Sequence, residues 1–371
     1  MKSILEILGG AQILLGLSFD LQECFEEYLT EEYRGFLPLL RVVEEQLSDL
    51  EGYRGGRGRP GYGRQSFLRS FLAMRCFRID TVKALRVRLG GDVNLRRICG
   101  FRRVPDAATF SRRLKEFAGS GVLDRVLNGL VRQYQGEGLV GHICRDSTAI
   151  EARERPVNCK REVAPPRKRG RGRPRKGESR PEKKERRLAR QLSMKSGAAL
   201  REVEKQCSWG CKNNSQGNVM FWKGYKLHLD VTDWGLPVTA VVTGASVHDS
   251  QVALPMEKVT ERRVQHLYRV MDSAYDAPEI RGYIQGRQRV ALIEPNRRRR
   301  ETVPGLDPAH QERYKVRTVV ERTYSHLKDS LIPAKLYVGG YAKVKFHLFC
   351  GVVCLAAIKI LQHFILPSLQ N

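Results

Sequence analysis

Acidic residues are scarce in this chain. Against 66 Lys and Arg stand 40 Asp and Glu, so the 371 residues carry a formal net charge of +26 and a pI near 10.0. That excess is extreme for an ordinary cytosolic enzyme and points to a polyanionic partner, most simply nucleic acid. Adhesion to a ribosome or a membrane surface needs the same charge but no catalytic domain. A cysteine framework is also missing. The nine cysteines (Cys24, Cys76, Cys99, Cys144, Cys159, Cys207, Cys211, Cys350 and Cys354) follow no disulfide spacing, which favours free thiols in a reducing compartment. Cys207-x3-Cys211 has no second Cys or His pair close behind it, so a zinc site is not expected. Long apolar runs are absent too. The most membrane-like stretch, 346–367, is broken by Lys359, Gln362 and His363, and its unbroken part is too short to span a bilayer. It reads as a buried terminal helix. No signal peptide is expected at the N-terminus, where Asp20 and Glu23 follow a short apolar run with little preceding charge.

What is present centres on 307–330. Asp307 suits a helix cap, and Pro308 suits the first helical position. Nothing interrupts the run until Pro333. Val316, Val319, Val320, Leu327 and Leu331 recur at helical spacing and face a core. Tyr314, Arg317, Glu321 and Lys328 share the other side, at steps of three, four and seven. A solvated, ion-paired surface is the ordinary reading of such a face.

Upstream, 1–54 reads as a helical arm, amphipathic over 37–50 and the least basic part of the chain. A Gly/Arg/Pro loop with Arg57-Gly58-Arg59-Pro60 follows. Short helices come next: a basic, half-buried pair over 66–89, one from Asp92 to Cys99, and one from 105 through Phe117. Arg102, Arg103, Arg112, Arg113 and Lys115 are expected on their surface. This suggests a helix-turn-helix-like DNA-binding domain over 55–135. A helical bundle with solubilising charges is the alternative.

The α/β rhythm starts with an apolar strand at 140–144, ending at Arg145-Asp146-Ser147-Thr148. A carboxylate at the end of a buried strand is costly unless used or paired. An insertion over 151–215 then breaks the rhythm. Its core, 167–176, is low-complexity and basic and should be disordered without a partner. Arg171-Gly172-Arg173-Pro174 has the extended, Gly- and Pro-fixed character that suits a narrow minor groove, and a flexible charged linker fits equally well. Strands follow at 221–231 and 236–243, then a helix at 251–260 with Asp249 or Ser250 as cap. A strand at 267–271 ends in Asp272-Ser273-Ala274-Tyr275-Asp276, with Asp276 capping the helix 278–285. A last strand spans 289–293, and 297–300 is a basic loop.

Tyr314-x2-Arg317-x3-Glu321-x6-Lys328 resembles the YREK motif of DDE-type transposases of bacterial insertion elements. The surroundings of Asp146 and Asp272 resemble the same family, as do Gly58-Arg59-Pro60 and Pro105–Phe110 with Ser111-Arg112-Arg113-Leu114. The resemblance covers roughly 55–350. It implies an α/β, RNase H-like mixed-sheet catalytic domain over 136–365, interrupted by the insertion and preceded by the all-α domain.

It also implies a site. Asp146, Asp272 and Glu321 become the catalytic acids and the metal ligands. Two divalent ions about 4 Å apart activate the nucleophile and hold the leaving oxygen in such chemistry, so Mg²⁺ is expected, with Mn²⁺ able to substitute. Tyr314, Arg317 and Lys328 become contacts to the transposon end, and Arg57, Arg59, Arg112, Arg113, Arg171 and Arg173 further DNA contacts. The implied function is metal-dependent cleavage at transposon ends and strand transfer into target DNA, cut-and-paste, by a homodimer in the synaptic complex. The expected location is cytoplasmic, at the nucleoid, with no membrane partner. The alternatives are an RNase H-like nuclease and a catalytically silent DNA-binding regulator.

Overall fold

Thirteen residues, Val140–Ala152, stay extended as strand β1. Val140, Ile143, Thr148 and Ile150 supply the β-branched side chains that suit a pleated surface. The computed structural model describes residues 30–47, 62–157, 185–213, 217–296 and 305–367. Arg57, Arg59, Arg171, Arg173, the basic segment 167–176, the loop 297–300 and most of the N-terminal arm lie outside the described residues.

One edge of β1 is paired antiparallel with β3 (Val219–Thr232), from Ile143↔Thr232 to Glu151↔Gly224. The other edge is paired in two pieces. β5 (His266–Met271) runs parallel to it as far as Cys144↔Val270. β7 (Lys335–Leu336) joins only at Glu151↔Lys335. Between those partners, from Arg145 to Ile150, no strand among the described residues covers that edge. The strand therefore does not end at Cys144, as its polar continuation suggested. Pairing with β3 carries Asp-Ser-Thr forward as strand, and Asp146 sits in mid-strand.

β4 (Pro237–Gly244) pairs antiparallel with the second half of β3, and β2 (Ser208–Asn213) with its first half. β6 (Val290–Ile293) lies parallel to β5. The order β4-β3-β1-β5-β6, antiparallel then parallel, is the RNase H-like arrangement expected. α9 (Ser250–Thr260) links β4 to β5, and α10 (Pro278–Gln285) links β5 to β6. The short helices α7 (Arg187–Ser193) and α8 (Ser196–Glu202) pack on α9.

The helix expected over 307–330 keeps a right-handed helical backbone but is not uniform: α11 (Pro308–Tyr314) tightens into a 3₁₀ turn at Lys315–Arg317, continues as α12 (Thr318–His326) and widens into a π turn at Leu327–Leu331. The β-branched Val316 lies within the tightened turn. The apolar stripe still faces inward: Val320, Leu327 and Leu331 are buried, and Val316 and Val319 pack against the core.

Among the described residues six helices precede the sheet: α1 (Glu31–Glu44), α2 (Arg64–Cys76), α3 (Val82–Gly91), α4 (Val93–Ile98), α5 (Ala107–Ser120) and α6 (Val122–Tyr134). Asp92 and Asp106 accept the Leu95 and Thr109 amides and so cap α4 and α5. The terminal helix α13 (Tyr341–Ile360) packs against α1, α2, α5, α6 and β4. Its composition would suit a membrane span. Instead Cys350, Val352, Val353, Cys354 and Leu355 are fully buried, and one continuous core runs from the helices into the sheet. The seven described cysteines are free thiols.

Candidate active site

Alternation along β1 sends neighbouring residues to opposite faces of the sheet. Arg145 goes to the α9 face and is fully buried. Its Nε lies 2.6 Å from Asp230 Oδ1, its Nη2 3.3 Å from Glu257 Oε2, and its Nη1 donates to the Ala253 carbonyl at 2.6 Å. Arg269 of β5 completes the set, 3.2 Å from Asp230 and 2.6 Å from Glu257. Burial pushes both carboxyls up, and the two guanidiniums more than reverse this, holding both below the usual carboxylate range. Two cations and two anions thus cancel within a dry interior, where an unpaired member would be costly.

Asp146 goes the other way, into a cleft beside the uncovered edge of β1. The cleft measures about 560 Å³ and is lined by Asp146, Asp249, Asp272, Arg317, Lys226 and Lys212 among others. Asp146 Oδ1 accepts the Ser147 amide at 2.7 Å, and the Tyr324 hydroxyl fixes the local backbone, 2.6 Å from the Asp146 carbonyl oxygen and 3.0 Å from that of Leu227. Burial pushes the Asp146 carboxyl up to about 7; the Ser147 amide opposes this and the charge of Asp272 adds to it. Asp272 follows β5 directly, and its Oδ1 accepts the Ala274 amide at 3.1 Å. Its carboxyl is also raised, by burial and then by Asp249. Two carboxyls raised first by burial and then by neighbouring acids are incompletely neutralised by the cations around them.

Arg317 supplies part of that charge. Its Nη2 lies 3.5 Å from Asp146 Oδ2 and its Nη1 2.6 Å from Glu321 Oε1. Glu321 is thereby held one guanidinium away from Asp146, exposed on the first turn of α12 rather than lining the cleft. Among the described residues, no three His, Cys, Asp or Glu side chains are grouped as a metal site. Of the three expected acids, Asp146 and Asp272 line the cleft, and as incompletely neutralised hard oxygen donors they fit Mg²⁺. Tyr314 is half-buried, with no partner for its hydroxyl among the described residues. Lys328 stands exposed on the π turn, held below its ordinary pKa by burial and then by Lys212. Arg112 and Arg113 lie on α5, outside the cleft. Arg112 reaches Thr109 Oγ1 at 3.1 Å, while Arg113 pairs with Glu116 at 2.6 Å.

Two residues read as simple caps do something else. Asp249 holds the cap position of α9 but makes no capping hydrogen bond. It pairs with Lys226 at 3.0 Å, with His228 Nδ1 3.9 Å away, and it lines the cleft. His248 Nδ1 accepts the Ser250 amide instead, at 3.3 Å. Asp276 precedes α10 by two residues and ties Arg281, at 2.8 Å, to the Asn296 amide, at 2.8 Å. Sequence reasoning also passed over the Arg145–Asp230–Arg269–Glu257 network. Its signal was two arginines inside apolar strands, a setting that requires buried partners.

No curated protein and no solved structure matches the chain significantly. Two protein families do. Transposase domain (DUF772) matches residues 25–116, across α1–α5. Transposase DDE domain matches residues 141–355, from β1 into α13, and takes in both aspartates of the cleft and the Arg317–Glu321 pair. A helical region joined to an RNase H-like sheet, with acids gathered beside the uncovered edge of β1, carries those two matches: the chain belongs to the DDE transposases of insertion elements.

Proposed function

We propose that this transposase cuts DNA at the ends of its element with water as nucleophile and joins the freed 3′-hydroxyl to target DNA, as a cut-and-paste enzyme acting as a homodimer on paired ends. Asp146 and Asp272 hold the divalent cation, and Glu321 is the third acid, reserved by Arg317. Mg²⁺, when bound, supplies Lewis-acid stabilisation of the attacking and leaving oxygens. The chain's own residues do the rest. Arg317, beside Asp146 and Glu321, would meet a phosphate in the cleft with its planar fork. Lys328 and Lys212 sit beside the same cleft and suit the flanking phosphates. Tyr324 holds the β1 backbone so that Asp146 cannot swing away.

The observation that supports this reading is the placement of Asp146, Asp272 and Arg317 in one cleft, with Glu321 bridged to it. Each of Asp146→Ala, Asp272→Ala and Glu321→Ala is expected to abolish Mg²⁺-dependent cleavage of a duplex carrying the DNA that flanks the coding region. Each should leave binding of that duplex nearly intact. Cleavage that survives all three substitutions would remove these acids from the reaction.

A further inference from the structure

β2 and the first half of β3 form a two-stranded ribbon that projects beyond the main sheet and walls one side of the cleft through Cys211, Lys212 and Trp222. Trp222 packs flat over Gly210, where any side chain would collide with its ring, and its indole N–H donates to the Tyr225 carbonyl at 3.1 Å. That makes the ribbon a braced element. The residues it exposes are not those of an ordinary solvated edge. Trp209 is 60% exposed and Phe221 70% exposed. The register pairs Trp209 with Lys223 and Cys211 with Phe221, which puts both aromatic rings and a lysine on one face. Directly opposed residues on the other face are Lys212 and Met220, also exposed.

Large bare rings alternating with lysines suit nucleic acid better than another protein. A base offers a flat apolar face for the ring and a phosphate for the amine. Lys328 is held below its ordinary pKa by burial and then by the nearby charge of Lys212. The ribbon is continuous with the cleft that holds Asp146 and Asp272, so a strand leaving that cleft passes onto it. We propose that the Trp209–Phe221 face is a stacking platform for unpaired bases of the DNA strand at the cleft, with Lys223 on the same face taking a phosphate. This rests on the DNA-cutting function proposed above and adds the class of DNA that the ribbon selects.

The test uses the full chain and two probes of mixed sequence, a single-stranded oligonucleotide and its blunt duplex, followed by fluorescence anisotropy at one salt concentration. Trp209→Ala and Phe221→Ala should each weaken single-strand binding by about tenfold and leave duplex binding unchanged. Trp209→Phe, which keeps a ring, should retain most of the affinity, and melting curves verify that every variant is folded. Unchanged single-strand affinity in the double alanine variant overturns the proposal, as does an equal loss on both probes. A wild-type dimer that the double variant splits, with DNA affinity preserved, assigns the face to a second copy of the chain instead. Wild-type protein that binds neither probe overturns the DNA-cutting function itself.

Discussion

Arg145 and Asp146 are adjacent in the chain and lie on opposite faces of the same strand, and their surroundings treat charge in opposite ways. On the α9 face every charge has its counterpart. Arg145 and Arg269 meet Asp230 and Glu257 within 3.3 Å in each pairing, and nothing there is open to solvent. On the cleft face the charges are unbalanced. Burial raises the carboxyls of both Asp146 and Asp272, with the charge of Asp272 adding to the first and that of Asp249 to the second, and Arg317 is shared between Asp146 and Glu321. A buried charge that serves the fold is neutralised within the fold. A charge that remains in deficit where a cleft admits solvent is held for something that arrives later.

That contrast predicts opposite outcomes for carboxylates a few ångströms apart. The largest effect is expected on the balanced side. Asp230→Ala or Glu257→Ala strands a buried guanidinium and should cost about 3–5 kcal/mol of stability, measured by urea unfolding. Asp146→Asn relieves a repulsion and should leave the metal-free protein as stable as wild type, or more so. A comparable loss from Asp146→Asn would mean that its charge also serves the fold, and the comparison would break.

A smaller effect is expected at Arg317. Its ion pairs are partly exposed, so Arg317→Ala should change stability by less than about 1 kcal/mol. The same substitution removes a cation that competes for the cleft, so the variant should bind Mg²⁺ more tightly than wild type in the absence of DNA, read by calorimetric titration. Weaker binding would show that Arg317 organises the acids instead of occupying their place.

Much of the sheet could be read from sequence because its strands carry apolar runs punctuated by turn residues. Asp233-Trp234-Gly235 marks the turn between β3 and β4, and 278–285 was bounded correctly by Pro278. The errors arose where pairing overrides local pattern. Asp146-Ser147-Thr148 looks like the end of a strand, and only the antiparallel partner β3 keeps it extended. The run 307–330 has an unbroken helical period, but the backbone tightens at Lys315–Arg317 and widens at Leu327–Leu331.

At the site, Asp146, Asp272 and Arg317 were legible as motif residues. Asp249 was not, because a cap position explains an aspartate without any tertiary contact; its partner Lys226 lies on a strand 23 residues earlier. The buried arginines were hidden for the same reason. Arg145 and Asp230 are 85 residues apart, and no local period connects them. The stacking face was equally out of reach, since the exposure of Trp209 and Phe221 depends on how β2 pairs with β3.

In the function proposed above, the cleft face of β1 is short of positive charge because Asp146 and Asp272 await a divalent cation. Mn²⁺, a paramagnetic stand-in for Mg²⁺, measures this directly by electron paramagnetic resonance of the full chain mixed with duplex DNA. Wild type should bind Mn²⁺, and Asp146→Asn and Asp272→Asn should each abolish most of that binding, whereas Asp276→Asn, outside the cleft, should not. Equal Mn²⁺ binding by wild type and the two cleft variants would contradict the account.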